Sequence, residues 1–311
     1  MRSDECGKRR SYAEGKAAFP RLTPARVDGL TIRDSGSPLT VIPVGSGNGI
    51  GTIAWSPDGN ELAFDDIVGA QPGTANSPAT SPVSDIGVVS ASAGPVTTEY
   101  QASESGLELA GWWPDGAGLL FWEDSGYSAS LQAGGLMLYS LGSGDQQPVG
   151  LVISLVGPTW WAPGPDNTIA VVAGGGREIW EPGRDVEICR LLAAICQPVS
   201  IPAGSVGLAP SWSASGALLF SVASASAPFG LAEGMDFSPA NMAAWDDTNT
   251  LWTLPSEGQP SRVSAAPVGT VLAAPAAEGT AEVEVAHNGL WLIDTTGNAA
   301  VQIAGGPVLG R

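Results

Sequence analysis

The sequence predicts an all-β fold, a β-propeller of four-stranded antiparallel blades, and three observations predict it. A tryptophan, a tight turn and an apolar strand recur along the chain. Each copy is followed by a second apolar hairpin. The composition, with 42 Gly and 25 Pro among 311 residues, favours turns and strand ends over helices. No helical period competes with the strand pattern.

The first copy is Ile53-Ala54-Trp55-Ser56-Pro57-Asp58-Gly59-Asn60-Glu61-Leu62-Ala63-Phe64. Two apolar runs flank Ser-Pro-Asp-Gly, where proline presets φ, aspartate bonds its own backbone and glycine accepts φ > 0. That is a hairpin written in turn chemistry. Later copies keep a tryptophan four residues before a glycine: Trp112 to Gly116, Trp160 to Gly164 and Trp212 to Gly216, each followed by an apolar triplet. A fifth, Pro275 to Gly279, lacks the tryptophan. The glycines at 59, 116, 164, 216 and 279 are separated by 57, 48, 52 and 63 residues, the length of a four-stranded blade stretched by insertions. A large ring at one position of successive blades is expected to pack between blades, and Asp58 and Asp115 to form their turns.

Second hairpins begin with strands at residues 85–89, 135–139, 185–188, 250–253 and 289–294. A sixth, at residues 29–42, precedes the first tryptophan. Five first hairpins against six second ones leave one blade unbalanced. The expectation is six blades with an incomplete or degenerate closing blade; the alternative is five. Residues 29–311 form the propeller domain in this scheme. Residues 1–28 hold seven of the thirteen basic residues and are expected to be a disordered tail, with 18–22 and 307–309 the candidates to complete the seam.

The Trp, Ser-Pro-Asp-Gly and Leu-Ala-Phe frame, followed by a strand such as Gly289-Leu290-Trp291-Leu292-Ile293-Asp294, resembles the WD-like repeats of TolB-type β-propellers over about residues 29–305. The resemblance implies an architecture and a role in binding, and it transfers no substrate.

A net charge of −18 argues against a nucleic-acid partner and against anionic membrane surfaces. No apolar run reaches transmembrane length, and no signal peptide is recognisable at the start of this sequence. Periplasmic or extracellular residence is the expectation. Of the three cysteines, Cys189 and Cys196 are a candidate disulfide, because a hairpin centred between Leu192 and Ala193 sets them directly opposite each other. The alternative is a pair of buried thiols.

The second-to-third strand connections at residues 65–84, 123–134, 174–184 and 224–249 are long, whereas the first-hairpin turns are short. Loops of that length are usually functional or disordered. The long ones carry the candidate binding residues Asp65, Asp66, Glu123, Asp124, Tyr127, Arg177, Trp180, Trp245 and Asp246, aromatic rings beside carboxylates. The sequence has one histidine and no Gly-x-Ser-x-Gly elbow, so no catalytic or metal-ligating residue is expected, nor any cofactor. His287 sits beside an Asn-Gly turn and is read as flanking it. The first expectation is a non-catalytic propeller binding a protein or peptide partner through the long-loop face. The alternatives are a hydrolase or lyase using loop carboxylates, with or without a divalent ion, and a fragment of a larger repeat protein. Oligomeric state stays open.

Overall fold

The computed structural model describes residues 11–13, 16–22, 27–34, 40–42, 49–68, 83–92, 95–101, 107–123, 133–153, 160–174, 179–190, 195–213, 215–226, 239–276, 279–286, 288–295 and 299–306. The chain divides into two compact units, residues 1–127 with 135–148, and residues 128–134 with 149–311. Among the described residues there are 24 strands and one helix. The strands pair into four four-stranded sheets and one of eight strands.

In the first unit, β1 (Ser11–Ala13), β2 (Lys16–Leu22), β3 (Val27–Asp34) and β4 (Thr40–Ile42) form one sheet in that order. Of the two candidates to complete the seam, residues 18–22 fall in β2, which pairs with β3, Phe19 opposite Thr31 and Ala17 opposite Arg33. Residues 307–309 lie outside the described residues.

The second blade is β5 (Gly49–Trp55), β6 (Glu61–Val68), β7 (Val83–Ser90) and β8 (Thr97–Gln101). The third begins with β9 (Glu108–Trp112), β10 (Gly118–Glu123) and β11 (Ala133–Ser140). A turn closed by the Ser140 amide on the Asp145 carbonyl at 2.9 Å then leads into β12 (Gln146–Ile153). Strand faces alternate. Leu62 and Phe64 of β6 therefore pack with Leu30 and Trp55, while Ala63 packs with Leu109, Trp112 and Phe121 of the next blade. The core of this unit thus lies between blades.

The second unit contains β13 (Trp161–Pro163), β14 (Thr168–Ala173), β15 (Asp185–Arg190) and β16 (Ile195–Pro198); the end of β12 also pairs with β14, Val152 opposite Ala173. Next come β17 (Ser205–Trp212), β18 (Leu218–Ser224), β19 (Thr250–Leu254) and β20 (Ser261–Arg262). The last blade is β21 (Thr270–Pro275), β22 (Thr280–Val285), β23 (Gly289–Asp294) and β24 (Ala300–Ala304). Every residue of β14 is buried, and Ala170 and Val172 pack with Val206, Leu218 and Phe220 of the following blade.

The turns correct one repeat. Gly59, Gly116, Gly216 and Gly279 all have positive φ, between 69° and 79°, as the turn requires. Gly164 does not. In that blade the positive φ values belong to Asp166 and Asn167, and Pro163 pairs with Ile169 as Trp55 pairs with Leu62. The true copy is Gly164-Pro165-Asp166-Asn167, matching Ser56-Pro57-Asp58-Gly59, with Asn taking the left-handed position that Gly fills elsewhere. Trp160 is therefore outside the repeat position, which Pro163 occupies.

One helix was not expected from the strand pattern: α1 (Pro239–Asp246), within the connection from β18 to β19. Proline at its first position has its φ preset for a helix. At its end the Trp245 carbonyl accepts from the Thr248 amide (2.9 Å) and hydroxyl (2.7 Å), which satisfies an otherwise orphaned group. The Trp245 indole donates to the Ser224 carbonyl at 2.9 Å and fastens the helix to the end of β18. Among the described residues no helix is long and apolar enough to cross a membrane.

Candidate functional site

Period-2 alternation gives the β15–β16 hairpin two distinct faces. Its register sets Ile188 opposite Gln197, Cys189 opposite Cys196 and Arg190 opposite Ile195. Ile188 and Arg190 share one face, and Glu187 and Cys189 share the other.

The first face lines a groove of about 450 Å³. One wall is the hairpin and the residues after it, with Ile188, Arg190, Gln197 and Ser200; the other is the end of β19 and its turn, with Leu254, Gly258 and Gln259. Gly258 is needed in that turn, since its φ is 137° and a Cβ there would lie 3.2 Å from Pro255. The two blades that carry the walls are held together by the Gly207 amide donating to the Arg184 carbonyl at 2.9 Å and by an apolar cluster including Val186, Leu208 and Phe220. The groove therefore rests on rigid strands. Among the described residues its polar groups are one guanidinium, two amides and a hydroxyl, set over the aliphatic Ile188 and Leu254, with no carboxylate. In a chain of net charge −18, that is a local reversal of sign. Such a lining can hydrogen-bond extended backbone and hold a carboxylate in the arginine fork.

On the opposite face Cys189 and Cys196 are joined by a disulfide, Cα atoms 4.0 Å apart. Cys189 is buried and Cys196 half-buried. A Glu187 carboxylate oxygen and both sulfurs lie within 4.8 Å of one another. Burial pushes the Glu187 carboxyl above the usual range, and the charge of Asp185, two residues back on the same face, pushes it further. Burial raises Asp185 as well.

The residues singled out in the long connections are distributed differently. Asp65 is 3% exposed; its carboxylate accepts the amide of Thr52 and, at 3.1 Å, the amide of Leu109 in the next blade. It ties blades together. Asp66 continues β6 opposite Asp85, and Glu123 ends β10 opposite Gly135. Asp124, Tyr127 and Arg177 lie outside the described residues. Trp180 and Trp245 are core side chains with ring centroids 6.2 Å apart, packed with Ile179 and Val206. Asp246 is buried at the end of α1, where its carbonyl accepts from the Asn249 side chain at 2.9 Å. Burial also lowers the pKa of Arg184, an effect opposed by the charge of Glu181. Sequence reasoning passed over the groove, because its residues sit on short turns and strand ends that carry no length signal. An arginine at the end of a strand in an acidic protein was the available clue.

No family model matches the chain, and no curated protein matches it in sequence. Solved structures do resemble it in fold. A prolyl endopeptidase, from a study of inter-domain dynamics in two such enzymes, matches at a TM-score of 0.58 and 14% identity over 96% of this chain. This chain spans only 41% of that protein's length. The β-propeller domain of the Trilobed protease from Pyrococcus furiosus matches at 0.52 and 13% identity, covering 96% of this chain and 84% of that domain. TolB from Acinetobacter baumannii aligns at 0.42 and 17% identity over 81% of this chain and 55% of its own. At these identities the first two likenesses establish the fold, a β-propeller.

Proposed function

We propose that this protein is a non-catalytic β-propeller that binds an extended peptide or protein segment bearing a carboxylate. The observation that carries the reading is the groove between the β15–β16 hairpin and the turn after β19, where Arg190 is the one charged lining residue among the described residues. Donors over an aliphatic floor suit a peptide backbone, and the guanidinium suits a carboxylate. The single histidine of the sequence, and a lining without carboxylates among the described residues, support binding over acid–base chemistry. The face of the long connections is the second place for such a partner. Its support is the firm base that α1 gives the longest connection through the Trp245 indole.

The test is to pan a random-peptide phage library on the immobilised full-length chain, then titrate enriched peptides by fluorescence anisotropy. Enriched sequences should carry acidic side chains or a free C-terminal carboxylate. Arg190→Glu should weaken them roughly 10–100-fold, the loss expected for a charge-assisted hydrogen bond. A variant with residues 227–238 replaced by a Gly-Ser linker of equal length should bind unchanged. If only the linker variant loses binding, the partner sits on the long-loop face. If nothing enriches, the peptide reading fails.

A further inference from the structure

We propose that the Cys189–Cys196 bridge is a thiol–disulfide exchange site, reduced by an external dithiol, in which Glu187 supplies the proton to the leaving sulfur. The inference stands apart from the groove, which occupies the other face of the same hairpin.

Three features carry it. The two cysteines differ in exposure, Cys189 being 2% exposed while Cys196, its sulfur 3.3 Å from the Val149 carbonyl, is half-buried, so an incoming nucleophile meets Cys196 first. The sulfur then expelled, Cys189, is the one whose thiolate burial disfavours, and a poor leaving thiolate leaves slowly unless it is protonated. Glu187 is the acid within reach, one carboxylate oxygen and both sulfurs lying within 4.8 Å. Its surroundings keep it protonated to higher pH than an ordinary carboxylate: it is partly buried and shares its strand face with Asp185. The residues opposite it on neighbouring strands, Val171 and Pro198, do not titrate.

The step balances as follows. A thiolate of the external dithiol attacks Cys196 Sγ and forms a new S–S bond while the Cys189–Cys196 bond breaks. The electron pair moves to Cys189 Sγ, which takes the Glu187 proton, leaving a neutral thiol beside a carboxylate. The second thiol of the reductant, losing its proton to water, attacks the mixed disulfide. It departs as a cyclic disulfide and releases Cys196 as a thiolate. Two electrons pass from the dithiol to the protein.

The experiment follows reduction of the oxidised full-length chain by dithiothreitol from pH 5 to 9, with iodoacetamide trapping and mass spectrometry. Rates are normalised to reductant thiolate. The wild-type rate should rise linearly with reductant and decline as pH climbs through the Glu187 ionisation. Glu187→Gln should be slower by about 10²-fold at low pH, the usual scale of general-acid assistance, and should lose that decline. A monothiol, glutathione, should trap its adduct on Cys196 of the wild-type protein, a readout that needs no variant. Equal rates for Glu187→Gln and wild type overturn the proposal. So does an adduct on Cys189, or a wild-type rate that saturates at the rate of global unfolding, which would make the bridge a staple only.

Discussion

The indole N–H of Trp112 donates to the carbonyl of Ala54 at 2.9 Å, and that of Trp212 donates to the carbonyl of Ala162 at 3.3 Å. Ala54 and Ala162 hold the same place in their blades, one residue before the position filled by Trp55 or Pro163. Beneath each tryptophan turn lies the turn proline of the preceding blade: a Cβ on Gly116 would meet Pro57 at 3.7 Å, and one on Gly216 would meet Pro165 at 3.8 Å. The repeated ring is therefore a blade-to-blade latch.

Trp112→Phe keeps most of the packing and removes one hydrogen bond, so urea unfolding should show a loss of about 1 kcal/mol. Trp112→Ala removes a side chain that is 4% exposed, and the loss should rise to about 3–5 kcal/mol. Equal effects would mean that the ring does not pack as described.

Asp65→Ala strips the acceptor from the Thr52 and Leu109 amides and should cost roughly 3 kcal/mol or more. A methyl group at Gly51 would collide with the same carboxylate, so Gly51→Ala should cost about 1–3 kcal/mol. In the double variant the collision is gone, and its loss should be smaller than the sum of the two single losses. Full additivity in chemical denaturation would refute the contact.

Asn167 holds φ at 57°, a conformation that glycine adopts freely and asparagine tolerates. Asn167→Gly should be accepted, and Asn167→Ala should lower stability by about 1–2 kcal/mol. A thermal-melt ranking with alanine above glycine would contradict the corrected repeat.

The Asp185 and Glu187 carboxyls are raised by burial, Glu187 also by Asp185. The folded chain thus retains protons that the unfolded chain releases. Their stabilising contribution is complete below the ordinary carboxylate pKa and declines as pH rises towards the raised values. Asp58 has the opposite sign. Hydrogen bonds from the Ser56 hydroxyl and then from the Asn60 amide and side chain lower it to about 2, so its contribution is present above the ordinary pKa and is lost as pH falls towards 2. Asp185→Asn with Glu187→Gln should therefore gain stability over wild type at pH 7 relative to pH 4. Asp58→Ala should lose more at pH 7 than at pH 2. Melting curves across that range check both signs.

The hairpins were legible because turn chemistry is local: Pro, Asp and Gly at residues 57–59 dictate their own φ and hydrogen bonds whatever the rest of the chain does. The same locality named the facing of Cys189 and Cys196, since a short hairpin fixes its own register. The copy around Asn167 was missed because asparagine stands where glycine was sought, although Pro165-Asp166-Asn167 carries the same signal. Residues 18–22 were legible as a seam candidate, whereas the segment before them was assigned by its basic composition, which does not report backbone pairing.

The sequence by itself determined the recurring hairpins and the latch at Trp112 and Trp212, which follow from period and from turns a few residues long. Only the tertiary structure decided which charged and aromatic residues are buried. Asp65, Trp180, Trp245 and Asp246 lie in loop-like sequence, yet packing between successive strands encloses them, while Arg190 and Gln259, from different blades, come together at one groove. Burial and convergence depend on contacts between residues far apart in the chain, and no local pattern encodes them.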